Sequence, residues 1–205
     1  MKSAAISKRS EKKGHKMKNK SISMILRVFL LMLTAAFLLP ALSACTGTPT
    51  PNGYAPVNSQ NYSNNNEIND FTLYIPVDWT LDESKGMLAA YAADGRDGHV
   101  SVIAEKTDEE TPDAAAYWEQ YRTEFEQTFR DFTLLEDGVP AKLGTYDAVR
   151  YSFTATANNE TYHFIQLSMT KGSAYYVFTY SIPEENFAAH EAEANEIIGY
   201  FAFTE

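Results

Sequence analysis

Cysteine is all but absent: the 205 residues contain one, at position 45. A lone thiol closes no internal disulfide, which excludes a disulfide scaffold. Histidine is scarce, with four in the chain. Three of them, His99, His163 and His190, lie beyond residue 44. They fall in separate elements at no helix or strand ligand spacing, so no metal motif is read. The chain also lacks a G-x-S-x-G elbow, a phosphate-binding G-x-x-x-x-G-K-[ST], a G-x-G-x-x-G turn and an H-E-x-x-H pair. No catalytic residue, metal or cofactor is therefore assigned, and an enzyme is not expected. Positive charge is missing from most of the chain. Residues 1–44 hold nine of the 17 Lys and Arg and one of the 27 acids, leaving the remainder at a formal −18. A surface so acidic repels phosphate backbones, which excludes nucleic acid as a partner. It equally disfavours adsorption to anionic lipid, so membrane attachment has to come from something other than charge.

What is present at the amino terminus is an export signal. The first 27 residues are basic and polar, and Val28 to Leu39 is a twelve-residue run without a charge. Twelve residues cover only about 18 Å at helical rise, against a bilayer core of about 30 Å. Pro40 interrupts any continuation, so residues 1–44 are read as a cleaved signal rather than a span. Met1, Met17 and Met24 are all possible starts, and Met17 leaves Lys18, Lys20 and Arg27 as the basic region. The signal ends in Leu42-Ser43-Ala44-Cys45, which resembles the bacterial lipobox. That resemblance implies cleavage before Cys45 and acylation of its thiol. Two or more acyl chains make a stable anchor where one would not.

Thr46 to Asn69 is rich in Pro, Gly, Ser, Thr and Asn and nearly free of aliphatic residues. Such a segment buries too little apolar area to offset chain entropy, so residues 45–69 are expected to form a flexible linker. Its reach, roughly 25–30 Å, would leave the following domain free to rotate. About 135 residues remain, the size of one domain with its own core.

In residues 70–205, alternation or β-rich composition predicts strands at 70–76, 87–93, 99–105, 132–137, 146–156, 160–170 and 173–181. Asp94 to Gly98, Ala157 to Asn159, and Lys171-Gly172 read as hairpin turns, which force antiparallel pairing. The Asp and Gly content of 94–98 is turn chemistry, its spacing being wrong for a calcium loop. Thr111-Pro112-Asp113 opens a helix to about 130, with Ala114, Trp118, Tyr121, Phe125 and Phe129 on one stripe. A second helix runs from 183 to 199, and 200–203 adds a short strand. This is an α+β domain with an antiparallel sheet flanked by helices. Most tyrosines, including Tyr74, Tyr91, Tyr162, Tyr175, Tyr176 and Tyr180, are expected to pack on strands. His163 reads as a strand residue and His190 as the edge of the last helix. The acidic groups Glu109, Glu110 and Asp113, then Glu124 and Glu126, Glu184 and Glu185, and Glu191, Glu193 and Glu196, read as helix starts and solvated faces.

Phe71-Thr-Leu-Tyr-Ile-Pro-Val-Asp-Trp79, Gly138-Val-Pro-Ala141, Tyr175-Tyr-Val-Phe-Thr-Tyr180, and Phe187 to Ile197-Ile198 and Phe201 follow the order seen in PsbP/Mog1-like domains. The resemblance implies an α/β/α sandwich over about 69–205. Tyr200-Phe201 stands where Ser-Phe often closes the final helix in that family. The matching positions are strand starts, turns and core, so they assign no site. The family's members are largely adaptors. The expectation is a lipid-anchored, extracytoplasmic, non-enzymatic module that engages the membrane through Cys45 and an envelope protein through its surface. The alternative is a small-ligand or cation-binding lipoprotein serving a transporter, with a hydrolase third. An exposed aromatic patch would favour the first, a closed polar pocket the second. A buried His–carboxylate pair beside a cleft would favour the third.

Overall fold

A computed structural model describes residues 50–61, 68–82, 87–92, 98–110 and 112–204. The signal segment, the Leu42-Ser43-Ala44-Cys45 motif, Thr111 and the centre of the turn after residue 92 lie outside the described residues. The strands are β1 (Tyr54–Asn58), β2 (Phe71–Pro76), β3 (Trp79–Leu81), β4 (Leu88–Ala92), β5 (His99–Lys106), β6 (Arg130–Leu143), β7 (Tyr146–Ala157), β8 (Glu160–Thr170), β9 (Ala174–Pro183) and β10 (Ala202–Phe203). The helices are α1 (Ala114–Thr128) and α2 (Glu184–Tyr200). Seven strands form one antiparallel sheet in the order β3-β4-β5-β9-β8-β7-β6, and β1-β2-β10 form a smaller one.

Strand alternation sorts the side chains of the large sheet into two cores. On one face Tyr162, Phe164, Tyr175, Val177, Tyr151 and Phe153 pack against Trp118, Tyr121 and Phe125 of α1. On the other face Ile165, Leu167, Met169, Tyr176, Phe178 and Tyr180 meet Ala194, Ile197 and Ile198 of α2 and Phe71, Leu73 and Ile75 of β2. All ten residues of β9 are therefore buried, because the strand is central and covered on both sides. The α/β/α layering and the α+β class agree with the expectation.

Three readings are corrected. The first is the linker. Residues 54–58 are strand, not free chain: β1 pairs with β2 from Tyr54↔Pro76 to Asn58↔Thr72. Val57 is buried, and the buried Ser59 hydroxyl accepts from the Phe71 N–H at 3.1 Å. Composition measures side chains, whereas this strand is held by backbone pairing to a partner that is itself anchored in the core. The described backbone is already fixed at Pro51, whose carbonyl accepts from the Tyr54 N–H at 3.1 Å.

The second is β6, which does not stop at 137. Gly138 takes a positive φ of 68° at a register shift, and Pro140 is tolerated because β6 is the outermost strand. The third is the start of α1. Its cap is Asp113, whose Oδ1 accepts from Ala115 N at 2.9 Å and Ala116 N at 3.3 Å. A cap at that position displaces Pro112 from the helix.

Candidate functional site

The three-residue staple under the second helix

The hairpin of β7 and β8 turns on Asn158 and Asn159, both at positive φ. Asn tolerates that conformation better than most residues, and a two-residue turn of this kind fixes the strand register. Thr154 is thereby opposite His163, and Ser152 lies two residues along on the same face. The next strand places Ile182 opposite His163, so α2 begins beside the ring.

The result is a relay of three polar side chains. His163 Nδ1 lies 2.8 Å from Glu184 Oε2, and Nε2 lies 2.8 Å from Ser152 Oγ. A carboxylate only accepts, which assigns the proton to Nδ1. Nε2 is then the acceptor, and the Ser152 hydroxyl donates to it. Phe187 of α2 covers the ring face to face, with centroids 3.4 Å apart and planes 1° from parallel. Burial holds the His163 pKa below its ordinary value, and the hydrogen bond that His163 donates to Glu184 opposes that without reversing it. Beside the relay, Arg150 bonds Glu136 at 2.7 Å and reaches Asn195 on α2 at 3.3 Å.

These are the atoms of a serine–histidine–carboxylate triad. Their setting is different. Ser152 is 3 % exposed and lies in the middle of β7, with no strand-to-helix turn beneath it. The relay ties the first turn of α2 to β7 and β8. Pro183 at the helix N-cap makes no side-chain capping bond, so Glu184 and Glu185 complement the helix dipole instead.

On the opposite face of the sheet Trp118 stacks on Tyr151, with centroids 3.8 Å apart and planes 1° from parallel. Its Nε1 donates to Gln166 Oε1 at 2.8 Å, and Gln166 Nε2 donates to Thr179 Oγ1 at 3.2 Å. Burial pushes the Tyr151 phenol up to about 12. This second network pins α1 in the same manner.

The residues singled out from sequence are dispersed. His99 sits against Tyr91 with centroids 6.0 Å apart, and His190 lies 3.8 Å from Glu193. Of the acidic groups, Glu126 pairs with Arg122 at 3.2 Å and Glu109 accepts from Tyr175 at 2.5 Å. Glu184 joins the His163 relay, and Glu193 is the acid beside His190. Tyr74, Tyr162, Tyr175, Tyr176 and Tyr180 are core, as expected, and so form no exposed aromatic patch. Among the described residues no group of three His, Cys, Asp or Glu is placed to hold a metal ion. No helix among them is long and apolar enough to cross a membrane.

One exposed apolar feature among the described residues is β6. Leu135 is 52 % and Val139 42 % exposed on this outermost strand, and Tyr146 follows at the start of β7. Sequence reasoning missed Ser152 and Glu184 as members of a relay, and missed this edge entirely.

A family model described as DcrB matches residues 71–199, more than half of the chain. None of the curated proteins matches. Among solved structures, cyanobacterial PsbP (CyanoP) from Synechocystis aligns with TM-score 0.56 at 12 % identity, covering 79 % of this chain and 98 % of that one. LpqN of Mycobacterium tuberculosis, described as involved in cell envelope biogenesis, aligns with TM-score 0.50 at 18 % identity, covering 74 % and 91 %. At these identities the likeness is one of fold, and the fold is PsbP-like.

Proposed function

The chain belongs to the DcrB family, and from that premise we propose that it is a membrane-anchored extracytoplasmic lipoprotein, acylated on Cys45, that serves as a non-enzymatic accessory module for another envelope protein. One observation carries the non-enzymatic reading: the single triad-like relay described has its hydroxyl closed from solvent, with Ser152 at 3 % exposure. A nucleophile has to come within about 3–3.5 Å of the atom it attacks. A hydroxyl walled in by β7, β8 and α2 gives a substrate no such approach. The Leu42-Ser43-Ala44-Cys45 motif supports the anchor. The fold shared with LpqN, an envelope biogenesis protein, agrees with this placement.

Binding is assigned to β6, where Leu135 and Val139 offer apolar contact on the sheet edge. The partner surface is an apolar patch rimmed by basic residues, because the −18 balance beyond residue 44 selects cationic partners by charge complementarity.

A photo-reactive amino acid at Leu135 tests this in intact cells. The expected result is a discrete protein adduct that fades as ionic strength rises and is lost in Val139→Asp. An adduct insensitive to both, or none, overturns the assignment. Labelling of Ser152 by a fluorophosphonate would overturn the non-enzymatic reading. Metabolic incorporation of an alkyne fatty acid that persists in Cys45→Ser would overturn the anchor.

A further inference from the structure

Resting on the anchored reading above, we propose that the end of the domain formed by Gly53 and the Pro76–Asp78 turn faces the bilayer, with Val77 in contact with its surface. The length of the leash carries this. Pro51 is fixed in the domain by its bond to Tyr54 and lies six residue steps from Cys45. Each step spans at most about 3.6 Å, so Pro51 stands no more than about 22 Å from the acylated residue whatever path the chain takes. A domain of about 150 residues has a radius of gyration near 15 Å, and so a width of about 38 Å. The leash is shorter than the domain is wide. The side opposite Pro51 is held off the membrane, and Pro51 itself is kept within about 22 Å of it, in about the nearer half of the domain, where the exposed apolar surface decides what touches the bilayer.

That side carries the most exposed large apolar residue among those described. Val77 is 68 % exposed, and its N–H donates to the Gly53 carbonyl at 3.0 Å, which sets it two residues from Pro51. An exposed valine at the exit of a lipid tether has an apolar surface within reach. The β6 edge lies elsewhere. Trp79 begins β3, at one edge of the large sheet, and β6 is the other edge. Six strand spacings of about 4.8 Å separate them by about 29 Å.

The test uses the full chain, purified from membranes with its lipid and reconstituted into phosphatidylethanolamine/phosphatidylglycerol vesicles. A fluorophore is placed by Val77→Cys, or by Asn52→Cys in the neighbouring exposed turn, and by Leu135→Cys as the distal control. Lipid spin-labelled at the head of the acyl chain is the quencher. The expected result is loss of emission at 77 and at 52 and none at 135. Equal quenching at all three, or quenching greatest at 135, overturns the orientation while leaving the anchor standing. Mass spectrometry of the same sample reads the lipid on Cys45; its absence overturns the anchored reading, and this orientation with it.

Discussion

Acidification separates the two forces acting on His163. Burial disfavours its protonated form, and the carboxylate of Glu184 favours it. Burial is the larger, so the folded protein holds the ring neutral below the pH at which an unfolded histidine, with a pKa of about 6.5, takes up its proton. Over that window the unfolded chain binds more protons than the native one, and stability rises with pH. It is fully present above about pH 6.5 and falls as the pH drops from there to the lowered native pKa. One differentially bound proton gives a slope of at most about 1.4 kcal/mol per pH unit. Protonation would also put a donor on Nε2 against the Ser152 hydroxyl, which can still turn to accept, so the staple weakens without losing every bond. The assay is urea unfolding between pH 8 and pH 5 of wild type and His163→Gln, since carboxylates and histidines away from the relay cancel in the difference. Wild type should lose stability relative to the variant below pH 6.5. Parallel curves, or a wild type that gains on acidification, would show that the ion pair with Glu184 outweighs burial and would refute the reasoning.

Two further substitutions probe the packing that positions the faces. Trp118→Phe keeps most of the ring stack on Tyr151 but leaves the buried Gln166 carbonyl without its donor, at a cost of about 1–3 kcal/mol. Trp118→Ala loses the side chain as well and should cost about 3–5 kcal/mol, so the order of the two denaturation midpoints tests the hydrogen bond apart from the burial. Gly144→Ala should destabilise more than an ordinary surface change. Gly144 sits at φ +60°, where an added Cβ would lie 2.0 Å from the Phe201 carbonyl oxygen. Either the turn or the link from α2 to β10 must shift, and a thermal melt unchanged from wild type would contradict that contact.

Legibility in the sequence followed how much of each element is decided locally. The β7, β8 and β9 ladder was readable because its turns are short and its strands long, and α1 because five apolar residues recur at helical spacing. β1 was not. Tyr-Ala-Pro-Val-Asn is an ordinary edge strand only once Phe71 to Pro76 is beside it, and no count of residue types contains that neighbour. The sequence Asp-Gly-Val-Pro at 137–140 carries turn chemistry, but here the glycine makes a bulge and the proline sits where its missing N–H is tolerated. The relay of Ser152, His163 and Glu184 was half legible. The Asn158-Asn159 turn fixes a register that sets Ser152 diagonally from His163 on one face, a step available from the hairpin alone. Glu184 needed the next turn and the start of α2 as well, and the cover over the His163 ring needed Phe187 of α2.

The early strand also changes what the tether does, and that has a consequence that can be tested by length. On the proposed anchor, a linker running to Asn69 would let the domain turn freely, whereas six residue steps to Pro51 would keep its far side off the bilayer. Inserting ten Gly/Ser residues between Thr46 and Pro51 raises the separation from six steps to sixteen. The maximum reach goes to about 58 Å, more than the width of the domain. The root-mean-square reach of such a flexible chain becomes about 22 Å, equal to the former limit. On the proposed acylation of Cys45, attachment should be unaffected by the insertion. Orientation should not survive: quenching at Val77 by spin-labelled lipid should fall towards the value at Leu135. The adduct at Leu135 should weaken if its partner is fixed at a set height, since a rotating domain presents β6 over a larger volume and at a lower effective concentration. If quenching at Val77 stays unchanged after the insertion, the contact is held by the surface of the domain itself and not by the shortness of its leash.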